Sequence, residues 1–131
     1  MKRKDIHHRK DIECLVDRFY EKIKKDARLG PIFEDTAKVD WAKHLPRMYD
    51  FWENIIFQTG QYTGNPMTAH HRIHALHPFS HADFQRWLEL FRETLDDHFE
   101  GPKTELAMQR ALSIATVIEI KLTQGTDKHP G

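Results

Sequence analysis

A chain of 131 residues is long enough for one domain with a single hydrophobic core. Lysine plus arginine and aspartate plus glutamate each number 20, and this balance argues against a general binder of nucleic acid or anionic membrane. The outliers are ten histidines and a single cysteine, Cys14, which excludes an internal disulfide and any cysteine-based metal cluster.

The first ten residues are locally basic, with Lys2, Arg3, Lys4, Arg9 and Lys10 beside His7 and His8, and read as a solvated arm. They lack the apolar stretch of a signal peptide, and no apolar run approaches the roughly 18 residues of a spanning helix. A soluble, cytoplasmic protein is the expectation. The first helix is expected from Asp11 to Asp26. Ile12, Leu15, Val16, Phe19, Tyr20 and Ile23 recur at three- and four-residue steps and make one apolar stripe. Cys14, near Asp17, Arg18 and Glu21, reads as a surface or boundary thiol. Gly30-Pro31 is a stop signal, and Leu29 and Ile32-Phe33 form an apolar knot that should pack inward.

A second helix is expected from Asp40 to Phe57, with Trp41, Leu45, Met48, Phe51, Trp52, Ile55 and Ile56 on one face. Pro46 removes a backbone donor and crowds the preceding turn, so the regular helix either begins near it or kinks there. Gly60 closes this element. Asn65-Pro66 reads as a cap followed by a first-turn proline, opening a short helix from Pro66 to about Ile73. Ser80 and Asp83 form a capping box for a helix whose stripe is Phe84, Trp87, Leu88, Phe91 and Leu95. Gly101-Pro102 opens the last helix, with Ala107, Ala111, Ile114, Ala115, Ile118 and Leu122 on one face. The tail, 124–131, is expected to fray. No strand alternation or repeat is present, which makes this a single all-α domain over residues 1–131.

Two patterns carry possible chemistry. Tyr20, His44, Met48, Phe51, Trp52, His70 and Trp87 sit on or beside core-facing stripes. An aromatic stripe alone describes a core, but the polar tips of Tyr20, His44 and Trp87 would give an apolar pocket the few convergent groups of a ligand site. The rival pattern is the histidine run His70, His74, His77 and His81, spaced four, three and four, which on one continuous helix would align for a zinc ion. Pro78 interrupts that helix. Exposed, solvated imidazole is the plain reading of His71, His74, His77, His81, His98 and His129.

Four pieces in order resemble the group III truncated haemoglobins: Phe19 to Asp26 leading to Leu29-Gly-Pro-Ile-Phe33; Asp40 to Trp52; Tyr62-Thr-Gly-Asn-Pro-Met-Thr-Ala-His70; and Phe84 to Phe91. Together they cover roughly residues 11 to 122. The glycine pairs typical of other truncated-haemoglobin groups are missing. The resemblance implies a truncated globin fold, a two-on-two helical sandwich around haem b. It matches His70 to the proximal ligand of the iron, Tyr20 to the distal tyrosine and His44 to the distal histidine. Met48 matches the apolar distal position one turn later, and Trp87 the tryptophan directed at the bound ligand. Phe33 matches the aromatic wedge against the porphyrin. Phe51 joins the same apolar wall. Arg47 is placed, by helix geometry as much as by resemblance, to pair with a haem propionate. His71 points about 100° away from His70 around a helix.

The function implied is reversible binding of dioxygen, with nitric oxide and carbon monoxide as alternates, His44 acting as a gate or as a ligand to the iron. An alternative is a haem enzyme, a nitric oxide dioxygenase or peroxidase-like catalyst, drawing electrons from an external reductase. The third reading is a haem-free helical module binding zinc through His70–His81. Balanced charge makes a monomer the expectation.

Overall fold

The computed structural model describes residues 3–36, 40–58 and 80–127. Four α-helices occupy them: α1 (Arg9–Lys25), α2 (Trp41–Phe57), α3 (His81–His98) and α4 (Pro102–Asp127), with one π-helical turn over Ile32–Thr36. Helix α1 packs on α2 and α3, and α4 packs on α3 and α2. The two pairs, α1–α2 and α3–α4, thus close on each other as a two-on-two sandwich. Among the described residues no helix is long and apolar enough to cross a membrane.

The stripe read on α1 is the buried one: Ile12, Leu15, Val16, Phe19, Tyr20 and Ile23 all face inward. At the centre, Phe19 and Phe91 are fully buried, with ring centroids 5.1 Å apart and edges meeting at 86°. Trp52 of α2 stacks on Phe91 at 4.9 Å. Trp87 of α3 lies parallel to Phe91 at 5.8 Å and edge-on to Phe19 at 5.3 Å. One aromatic hub therefore holds three helices, each pair adding geometric preference to the area it buries. Ala107, Ala111 and Ala115 are buried on α4, and their small side chains let that helix approach closely. Cys14 is half-buried against the core.

Helix ends follow local chemistry where local residues supply it. Ser80 Oγ accepts from the Asp83 N–H at 3.2 Å, and the Asp83 carboxylate accepts from the Ser80 N–H at 2.8 Å, the reciprocal box its spacing predicts. Helix α2 starts at Trp41 and runs through Pro46, so the regular helix does not wait for the proline. Pro46 leaves the Ala42 carbonyl without its usual donor, but both residues are exposed, so water can serve that carbonyl. The helix ends at Phe57 with Gln58 in the left-handed region at φ 57°. Gly60 and the expected helix from Pro66 to Ile73 lie outside the described residues.

Two expectations change. Where a solvated N-terminal arm was expected, residues 3–8 are docked: Ile6 is buried, the Lys4 carbonyl accepts from the Glu100 N–H at 2.9 Å, and Asp5 caps α4. Its carboxylate accepts from the Lys103 and Thr104 N–H groups and the Thr104 hydroxyl, each at 2.8 Å. Gly101 makes room for it, at φ 141° and with a Cβ position only 2.6 Å from Asp5 Cγ. The charges of the arm flank one apolar anchor and one cap, and those two residues decide its placement. At the other end, α4 continues to Asp127, past the point where fraying was expected; residues 128–131 lie outside the described part.

Burial alone would raise the Asp5 pKa, but its backbone and hydroxyl donors outweigh this and hold the carboxyl below its ordinary value. A carboxylate with a depressed pKa stabilises the fold above its unfolded pKa, and the contribution is lost as pH falls through the folded one. Asp5→Ala is expected to cost about 1–2 kcal/mol at neutral pH, measured by urea denaturation. The gap between variant and parent should narrow below about pH 4; a gap constant down to acid pH would show that the charge plays no part.

Candidate functional site: a buried tyrosine–histidine pair beside an apolar cleft

Consecutive helical residues point about 100° apart, and α1 uses this at Phe19 and Tyr20. Phe19 enters the hub while Tyr20 faces α2. The Tyr20 ring lies 5.1 Å from His44, nearly perpendicular at 84°, and 5.3 Å from Trp41. Trp41 is in turn edge-on to His44 at 5.8 Å. Tyr20 is buried, the His44 ring is half-buried and its Nε2 is buried. Burial pushes the Tyr20 hydroxyl well above the ordinary tyrosine range, because the phenolate would lose its hydration. It therefore stays a neutral hydroxyl, able to donate.

From His44 the same face of α2 continues through Met48, Phe51 and Ile55, at steps of four, three and four. Met48 and Phe51 are buried. Phe51 and Ile55 line a cleft of about 320 Å³ shared with Ile114, Val117 and Ile118 of α4, with Arg110 and Ser113 as its polar members. The face from His44 to Ile55 extends about 16 Å along the helix axis. It is polar at the Tyr20 end and apolar at the other.

The remaining residues singled out in the sequence fall as follows. Trp87, half-buried on α3, reaches the same core through Phe19 and Phe91. Phe33 is buried in the turn after α1 and lies 6.3 Å from Trp41. Arg47 is exposed on α2, one turn beyond His44. His70 and the histidines from 71 to 77 lie outside the described residues. His81, the one member of the spaced run that is described, is exposed and has Nδ1 2.8 Å from Glu119 Oε2. Among the described residues no group of three or more histidine, cysteine or acidic side chains is placed to hold a metal ion.

Sequence reasoning placed Trp41 in the core stripe and missed its contact with both Tyr20 and His44. Its position one turn before His44 was the available signal. The α4 side of the cleft was also missed, since Ile114 and Ile118 were read only as packing residues.

Two helix pairs packed on each other, with the buried Tyr20 and the half-buried His44 at one end of a long apolar face, make an arrangement of the globin type. A family model described as bacterial-like globin matches residues 5–119. The group 3 truncated haemoglobin ctb of Campylobacter jejuni is 34% identical over 112 residues, covering 83% of this chain and 86% of that protein. The crystal structure of a group III truncated haemoglobin from Campylobacter jejuni superposes with a TM-score of 0.78 at 33% identity, covering 93% of this chain and 95% of that one. The chain belongs to the bacterial-like globins and, within them, to the group III truncated haemoglobins. It is a haem-binding globin.

The described residues fit that group. A flat macrocycle needs an apolar wall, which Met48, Phe51 and Ile55 offer, and a few polar tips beyond one face, which Tyr20 and His44 offer. The burial of Tyr20 is directly testable. Over about pH 9 to 11, where an ordinary tyrosine ionises, Tyr20→Phe should show the same rise in phenolate absorbance as the parent. Loss of one tyrosine's share of that rise would contradict the burial.

Proposed function

We propose that this globin binds dioxygen reversibly, with nitric oxide and carbon monoxide as alternate ligands. In this reading haem b is held by His70 on the proximal side, and Tyr20, His44 and Trp87 face the ligand on the other. The observation that supports it most is the buried Tyr20 ring set against the half-buried His44 at the head of an apolar helix face. Haem would be held through the His70 imidazole and would supply an iron able to bind a diatomic ligand.

The residues of the chain divide the remaining work. The Tyr20 hydroxyl, held neutral by burial, donates a hydrogen bond to negative charge drawn onto dioxygen. The Trp87 indole N–H is a second donor. Each such bond contributes about 0.5–1.5 kcal/mol net, and the low local dielectric strengthens it. Met48 and Phe51 exclude water from the same space. Phe33 wedges against the porphyrin edge, and Arg47, at the exposed border, pairs with a propionate carboxylate. His44 closes the pocket when its ring lies inward against Tyr20.

Two substitutions test this reading. His70→Ala should sharply lower haem retention on purification, with partial recovery when imidazole is supplied. Full haem content and an unchanged spectrum would remove His70 from the assignment. Tyr20→Phe should speed dioxygen release about two- to tenfold, as measured by stopped-flow displacement; an unaltered release rate would refute its donor role.

A further inference from the structure

The chain leaving α1 folds tightly back over that helix. A Cβ on Gly30 would lie 2.6 Å from the Lys24 carbonyl oxygen and 3.3 Å from that of Ile23, so only glycine permits the approach. The corner is fixed further by Asp26, whose carboxylate accepts from the Arg28 and Leu29 N–H groups at 3.0 and 2.9 Å and from Arg86 Nε at 2.7 Å. This turn returns Glu34 to the end of α2, where its Oε1 accepts from the Trp41 indole N–H at 3.0 Å. From α1, the Lys24 ammonium sits over the same indole, 4.5 Å from its centroid.

Trp41 thus stands between two environments. Its ring contacts the buried Tyr20 and the half-buried His44. Phe33 lies 6.3 Å from that ring. The outer contacts of Trp41 are the exposed Lys24 and Glu34, and the residue itself is only half-buried. Both outer contacts are made in water, where a cation–π pair is weak enough to break thermally. The contacts with Tyr20 and His44 are aromatic, one tilted and one edge-on, with no hydrogen bond from the indole to break.

We propose that Trp41 is the outer door of the Tyr20–His44 pocket, latched by Lys24 and Glu34, so that this trio sets how fast small ligands enter and leave. The inference rests on the ligand-binding reading above. A door acts on the path and not on the bound state, so releasing the latch raises entry and escape by the same factor and leaves affinity alone. Removing one exposed cation–π contact changes the open population by about two- to fivefold. This separates the door from the Tyr20 hydroxyl, whose loss acts on escape.

The test uses the intact haem-loaded globin, with carbon monoxide as the probe and flash photolysis and ligand replacement as the measurements. Lys24→Met and Glu34→Ala should each raise both the association and the dissociation rate about two- to fivefold, with the equilibrium constant unchanged. Glu34→Gln, which keeps an acceptor oxygen for the indole, should stay near the parent, as should the neighbouring charge control Lys25→Met. Unchanged rates in both latch variants, or a change confined to dissociation, would overturn the door while leaving carbon monoxide binding intact. A parent protein that forms no carbon monoxide complex would overturn the ligand-binding reading itself, and the door with it.

Discussion

The contact on which the rest depends is the edge-to-face meeting of Phe19 and Phe91, with Trp52 and Trp87 packed around it. It brings α1, α2 and α3 to one point, and it fixes the rotation of α1 about its own axis. With Phe19 committed to the hub, the next residue must point about 100° around the helix, and that direction is toward α2. The placement of the Tyr20 hydroxyl beside His44 is therefore a consequence of core packing. The same aromatic residues that stabilise the fold orient the Tyr20 hydroxyl toward α2.

Charged contacts at the rim hold the helices in the register the hub requires. Arg9 of α1 reaches Asp50 at 2.8 Å and Glu53 at 2.9 Å on α2, and Asp17 accepts a hydrogen bond from the Tyr49 hydroxyl. Burial and that bond together push the Tyr49 pKa up to about 12. At the other end of α1, Arg86 with Asp26 and Arg28 with Asp83 cross between the α1 corner and the start of α3. Solvent-facing pairs of this kind contribute little each, but Asp26 and Asp83 are carboxylates with low exposure and several donors. Their geometry is more constrained than that of an isolated surface pair.

How far each feature could be read from the sequence depended on how local its cause was. The Ser80–Asp83 cap and the α1 stripe were legible because every partner lies within one or two turns. The docked arm was not, because Asp5 serves N–H groups 98 and 99 residues away, and its charged neighbours suggested a solvated segment. Pro46 left two options open, and the start of α2 at Trp41 removes one of them, a helix beginning near the proline. The inward placement of Tyr20 and the half-buried placement of His44 and Trp87 were legible through their places on apolar stripes. Trp41 was not singled out, because its role comes from Lys24 and Glu34, brought to it by the sharp turn at Gly30.

Aromatic packing fixes a fold in which the buried Tyr20 and the half-buried His44 stand at the head of an apolar face of α2. On the proposed reading, the apolar face running from His44 to Ile55 would hold haem, whose iron would bind diatomic ligands. The most direct measurement is the visible absorption spectrum of the purified chain, reduced with dithionite and then exposed to carbon monoxide. The expected result is a haem spectrum whose main band shifts and sharpens on adding the gas and returns when the gas is removed. A haem-loaded protein with no response to carbon monoxide, or a colourless protein that takes up no haem when it is supplied, would contradict it.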